Sequence, residues 1–194
     1  MLGAASARSA SGVRNRALVA VLYRGGLRLA EALALRVADV DLEAGAVRVL
    51  HGKGARARTV GLGPGGCALV ERWLERRKRL GIGRPSLIFC TITSGERQGQ
   101  ILRAGQPLDP RYVRATLRRL AERAGVDKRV HPHGLRHTHA AELASEGVPS
   151  TVIRDQLGHS NLSTTDRYLR HVAPQEVRAM RGREWEPNAA TGGP

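Results

Sequence analysis

The sequence predicts an α+β fold, predominantly α-helical, with one small antiparallel sheet of three strands. Three observations lead there. Apolar residues recur at helical spacing along most of the chain. Short apolar runs that read as strands occur at Ala46–Leu50, Ala57–Leu62 and Leu87–Cys90. With 194 residues, 41% of them hydrophobic, the chain suits one compact domain with a proper core.

The elements follow in order. Residues 1–12 are rich in Ala, Ser and Gly and read as a flexible lead. A helix is expected over Val13–Tyr23, with Val13, Ala17, Ala20 and Val21 near one face, and Gly25-Gly26 breaks it. A second helix spans Leu27–Leu35 and ends before the turn-like Ala38–Asp41. Gly52-Lys53-Gly54 marks a hairpin or bulge between the first two strands. Gly65–Leu80 reads as a helix with a basic outer face. The polar, glycine-rich stretch Thr93–Gly105 reads as a mobile loop or a long hairpin tip. Pro110 opens another helix, where its missing N–H costs nothing, with Val113, Leu117, Leu120 and Ala124 on one face. His133–Glu146, Pro149–Leu157, a short segment ending near Leu169 and Pro174 to about Arg183 complete the helices. The expected organisation is a folded domain over 13–183 and a flexible tail over 184–194.

Charge supplies the first functional clue. Lys and Arg total 32 against 17 Asp and Glu, a formal charge of +15. A domain this basic answers a polyanion, with nucleic acid leading and an anionic membrane surface second. An arginine-biased composition is the bland alternative, since only Lys53, Lys78 and Lys128 are lysines. With aromatics at 3%, recognition by stacking on aromatic platforms is not expected. Cys67 and Cys90 lie in apolar surroundings without metal-ligand spacing and read as small buried hydrophobes in a reducing compartment. The absence of a long apolar run or a signal-peptide core leads to the expectation of a cytoplasmic protein.

Four clusters carry chemistry. The densest is His131-Pro-His133-Gly-Leu-Arg136-His137-Thr-His139. On a helix starting near His133, positions 133, 136 and 137 share a face and offer imidazole and guanidinium to one oxyanion. Positive charge there opposes the helix dipole, which favours an anion-binding use over a merely solvated terminus. His133 and His137 also have metal-ligand spacing, but Gly134 stands where a metalloprotease helix would carry Glu, and no carboxylate lies in the cluster. A metal-dependent hydrolase is therefore a minor alternative. The second cluster runs from Leu157-Gly158-His159 to Arg167-Tyr168, with Ser163 and Asp166 forming a capping-box-like start. A phenol with a pKa near about 10 becomes a nucleophile only where cations or a base converge on it. The third is Arg28 with Glu31 three positions on, and the fourth is Lys53 between its glycines.

Together and in this order these segments resemble the tyrosine recombinases, or phage-type integrases. The match lies in Arg28 of GLRLAEALAL, Lys53 of HGKGARARTVGL, His133 and Arg136 of HPHGLRHTHAAEL, and His159 with Tyr168 of LGHSNLSTTDRYLRH. It covers roughly residues 13–182, the catalytic domain of that family. The resemblance implies the DNA breaking-rejoining catalytic-domain fold. It implies site-specific recombination of double-stranded DNA through a 3′-phosphotyrosyl intermediate on Tyr168, without metal, nucleotide cofactor or small-molecule substrate. Arg28 and Arg136 would brace the scissile phosphate, Lys53 would protonate the leaving 5′ oxygen, His133 would take the tyrosine proton, His159 would hydrogen-bond the phosphate, and Glu31 would orient a catalytic side chain.

Two departures from the family pattern accompany the match. The motifs begin almost at once, so the separate N-terminal clamp domain is expected to be absent, through truncation or membership of a short subgroup. Thr93–Gly105 is longer than the usual loop there. Pro174 to about Arg183 resembles the C-terminal segment that docks into a neighbouring protomer, which implies a DNA-bound tetramer. The alternative to an active enzyme is a DNA-binding relic or fragment that no longer cuts.

Overall fold

The computed structural model describes residues 1–50, 57–83, 87–93, 95–97 and 100–158. Lys53, His159, Tyr168 and the expected C-terminal helix and tail lie outside the described residues. Six helices surround a small sheet among the described residues: α1 (Ala10–Tyr23), α2 (Leu29–Ala34), α3 (Pro64–Arg79), α4 (Pro110–Arg123), α5 (Pro132–Ser145) and α6 (Ser150–Leu157). The strands are β1 (Val40–Asp41), β2 (Ala46–Val49), β3 (Arg58–Gly61), β4 (Gly95–Arg97) and β5 (Gln100–Leu102).

Helix α1 is the central element. Its N-cap is Ser9, whose hydroxyl accepts from the Gly12 N–H at 3.2 Å. Val13 and the unbroken run Ala17–Leu22 are all buried, because α3 covers one side of the helix and α5 another. Where a flexible lead is expected, the chain forms a 3-10 turn at Leu2–Ala4 and buries Ala5 against the core. Arg16 Nη1 ties this lead down by donating to the Leu2 carbonyl at 3.2 Å.

The sheet has order β1-β2-β3 and is antiparallel throughout, with Val40 opposite Val47 and Val47 opposite Val60. Val47, Val49 and Val60 face the core while Arg48 and Thr59 face solvent, the alternation of a one-sided sheet. Its third strand is Val40–Asp41, not Leu87–Cys90 as the apolar run predicts. The Asp39 carboxylate accepts from the Arg36 N–H at 2.8 Å and shapes a 3-10 turn over Val37–Asp39, and the chain leaves that turn already extended. Leu87 and Cys90 make only isolated bridges, to Arg36 and Pro107. Their apolar run reflects burial on all sides, with Ile88 donating to the Leu35 carbonyl at 2.8 Å and accepting from Trp73 Nε1 at 2.8 Å. Of the two readings of Thr93–Gly105, the hairpin is the one found: β4 pairs with β5, Gly95 opposite Leu102.

Helix α4 starts as its proline predicts, with Asp109 Oδ1 accepting from the Arg111 N–H at 2.7 Å. It buries Val113, Leu117 and Leu120 and leaves Arg111, Arg114, Arg118 and Arg119 exposed. Helices α5 and α6 enclose a second, smaller core of Ala140, Ala144, Ile153 and Leu157. Cys90 is buried and Cys67 half-buried, and burial pushes the Cys67 thiol up, away from reactivity. No helix among the described residues is long and apolar enough to cross a membrane.

Candidate active site

The site forms where α2, the start of α5 and the end of α6 meet. Gly26 makes this approach possible. It sits at φ +61°, and a Cβ there would lie 2.8 Å from His139 Cδ2 and 2.9 Å from Leu157 Cδ2. Its carbonyl accepts from Arg136 Nη1 at 2.5 Å, and the Leu157 carbonyl accepts from Arg136 Nη2. Arg136, 1% exposed, is thus a buried cation fixed by two backbone carbonyls from segments far apart in the chain.

Arg28 is the N-cap of α2. Its backbone N–H donates to Glu31 Oε2 at 2.9 Å and its Nη1 to Glu31 Oε1 at 2.8 Å, while Nη2 reaches the Gly158 carbonyl at 3.4 Å. The Glu31 side chain is 3% exposed. It meets a second guanidinium as a two-pronged fork, with Arg58 Nη1 at 3.0 Å from Oε1 and Nη2 at 2.8 Å from Oε2. Burial alone would raise the Glu31 pKa; the hydrogen bonds from Arg58 and Arg28 overcome it and hold the carboxyl at about 2. Arg58 Nε also donates to the Gln156 carbonyl at 3.2 Å. The Gln156 side chain in turn pairs with the end of β3, accepting from the Gly61 N–H at 3.1 Å and donating to the Gly61 carbonyl at 2.9 Å.

Helix α5 opens on His131, whose Nδ1 accepts from the Gly134 N–H at 3.1 Å. One histidine of the cluster therefore serves as a cap, His139 is buried, and His133 is exposed with His137 half-buried beside it. His133 and His137 lie one turn apart with their Nε2 atoms 2.7 Å apart, so one donates while the other accepts. Partial burial, then the charges of Arg136, His131 and Arg28, push the His133 pKa down. These surroundings favour the neutral form of the imidazole.

Arg28, His133 and Arg136 line one open cleft of about 270 Å³, completed by Leu29, Arg114, His131 and Pro132. Three guanidiniums and two imidazoles border it without a carboxylate in the lining. Such a lining is electrostatically complementary to an anion. Among the described residues, no group of three or more His, Cys, Asp or Glu is placed to hold a metal ion. Of the residues expected from sequence, Arg28, His133 and Arg136 come together and Glu31 stands behind Arg28; Lys53, His159 and Tyr168 lie outside the described residues.

Two residues of the site were not expected. Arg58 carries a signal in hindsight: it shares strand parity with buried Val60, so a charge sits on the inward face of β3 and needs a buried partner. Arg114 carries none, because Arg111, Arg118 and Arg119 on the same exposed face look alike in sequence.

Residues 1–175 match the model of the phage integrase family, a stretch that includes Tyr168. The chain is similar to tyrosine recombinase XerC of Halalkalibacterium halodurans, 35% identical over 184 residues that are 92% of this chain and 56% of that relative. It is similar to tyrosine recombinase XerD of Ralstonia nicotianae, 35% identical over 87% of this chain and 52% of that one. Among solved structures, XerA recombinase superposes with a TM-score of 0.74 at 28% identity, over 95% of this chain and 62% of that one. XerH recombinase in its post-cleavage complex with difH substrate gives 0.70 at 27% identity, over 93% and 49%. The chain spans about half the length of the curated relatives it matches.

Proposed function

The chain belongs to the phage integrase family and has the fold of a tyrosine recombinase catalytic domain, and from that premise we propose that it cuts and rejoins DNA strands at specific sites through a 3′-phosphotyrosyl link. The observation that carries the reading is the convergence of Arg28, His133 and Arg136 on one anion-receiving cleft.

In the proposed reaction the Tyr168 oxygen attacks the scissile phosphorus while the bond to the 5′ oxygen breaks. Arg28 and Arg136 face the non-bridging oxygens, where negative charge grows in the transition state. Arg136, fixed by carbonyls on both sides, needs no reorganisation to do so. His133, its pKa held down, accepts the phenolic proton, and Lys53 delivers a proton to the departing oxygen. His159 donates a hydrogen bond to the phosphate, and Glu31 orients Arg28. One phosphodiester is exchanged for another, so the scheme draws on no nucleotide, and the 5′ hydroxyl of a second strand reverses it.

Double-stranded DNA is the proposed partner, supported by the charge of +15. Self-association into a tetramer on DNA through Pro174 to about Arg183, and work in the cytoplasm, belong to the same proposal. A relic that binds without cutting is disfavoured, since all six residues of the catalytic motif are present.

The test uses nicked duplexes with randomised flanks. Wild type traps itself covalently on a subset of them, giving a denaturant-resistant protein–DNA band whose DNA identifies the site. Tyr168→Phe gives no band and EDTA leaves the wild-type band intact. Cleavage by the Phe variant, or its loss in EDTA, refutes the proposal.

A further inference from the structure

Building on the recombinase reading, we propose that Arg58 is a positioning residue for strand cleavage, locking Arg28 and the exit of α6 into one frame. The last carbonyls of a helix have no partner within it and carry the negative end of its dipole. At the end of α6 three successive carbonyls are met by three arginines from three segments. Arg58 Nε donates to Gln156 at 3.2 Å, Arg136 donates to Leu157, and Arg28 Nη2 donates to Gly158 at 3.4 Å. Arg28 and Arg136 line the cleft; Arg58 does not, and its side chain is only 10% exposed.

Arg58 acts on both halves of the site. On the Arg28 side it shares the Glu31 carboxylate. Both Glu31 oxygens accept from Arg58 and both accept from Arg28. Without Arg58, the buried carboxylate has Arg28 as its remaining cation and draws that guanidinium inward, away from an incoming phosphate. On the α6 side Arg58 lies close against Gly158, the residue that precedes His159 in the chain. Gly158 is left-handed at φ +64°, and a Cβ there would lie 2.7 Å from Arg58 Cδ, 2.8 Å from Nε and 2.9 Å from Cζ. The guanidinium therefore holds the end of α6 at Gly158 in place. A lysine has no planar fork to hold two carboxylate oxygens and a carbonyl together.

The experiment measures single-turnover cleavage by Arg58→Met, Arg58→Lys and Arg28→Ala on the captured nicked duplex. Each is assayed with a normal scissile phosphate and with a methylphosphonate there, which carries no negative charge for Arg28 to brace. Both Arg58 variants slow cleavage of the phosphodiester about 30-fold with DNA affinity within about threefold of wild type. On the methylphosphonate the loss shrinks to about threefold, in step with Arg28→Ala. If Arg58→Met melts below the assay temperature, Arg58→Lys carries the test by the same criterion. An equal loss on both substrates marks general packing and overturns the inference, as does an unchanged rate or a parallel loss of binding. A wild-type chain that captures no DNA refutes the recombinase reading and this inference with it.

Discussion

Replacing Glu31 with Gln tests the electrostatic frame behind Arg28. The substitution keeps the shape of the side chain and removes its charge. Glu31 is 3% exposed and accepts four hydrogen bonds, from the Arg28 N–H at 2.9 Å, Arg28 Nη1 at 2.8 Å, and Arg58 Nη1 and Nη2 at 3.0 and 2.8 Å. Holding a carboxyl at about 2 rather than its ordinary 4.5 is worth about 3 kcal/mol of folding stability. The pKa is depressed in the folded state, so this stability is fully present above pH 4.5 and is lost as pH falls towards 2. Glu31→Gln should therefore unfold more easily at pH 7 by about 3 kcal/mol, and lose less than wild type between pH 4.5 and 2. Urea titrations followed by circular dichroism at pH 7, 4.5 and 3 measure both quantities. A loss below about 1 kcal/mol at pH 7, or a pH slope identical to wild type, would refute the reasoning.

Three further outcomes are expected. His139 is buried behind Gly26, and burial, reinforced by Arg24, holds its pKa at about 4 against an ordinary 6.5; the unfolded chain therefore binds the extra proton, stability falls as pH drops from 6.5 to 4, and His139→Leu removes that part of the acid titration in thermal melts. The cleavage rate should rise with pH through a midpoint below 6.5, because the His133 pKa is pushed down, and His133→Gln should be slower with that limb flattened in single-turnover assays. Arg28→Ala should lower cleavage by about 10²–10³-fold yet change DNA affinity little, since one phosphate contact is a small part of a +15 surface; equal losses in cleavage and gel-shift assays would make Arg28 an ordinary backbone contact.

Much of the fold was legible in the sequence where local rules operate. Pro110 marks a helix start because a missing N–H costs nothing there, and the short apolar runs over Ala46–Leu50 and Ala57–Leu62 mark two strands of the sheet. The approximate spans of the described helices were also legible, as were the face shared by His133 and His137 and the proximity of Glu31 to Arg28, the last two within one turn of helix. The third strand was not, because an apolar run such as Leu87–Cys90 records burial without saying whether the backbone pairs with a sheet. Nor was the packing of the first residues, whose alanines read as a loose lead until α1 and α4 are there to cover them.

By itself, then, the sequence determined the residue types of the site, their order and the family to which they point. Only the tertiary structure decided which of them meet and what holds them. Arg28 reaches Gly158 across 130 positions, Arg136 reaches Gly26 across 110, and Arg58 reaches Glu31 across 27. No periodicity links such positions. Their contact follows from helices closing on a shared core, which brings distant arginines to the carbonyls of Gly26 and of the α6 terminus and adds Arg58 to the Glu31 carboxylate that Arg28 already meets from within one turn.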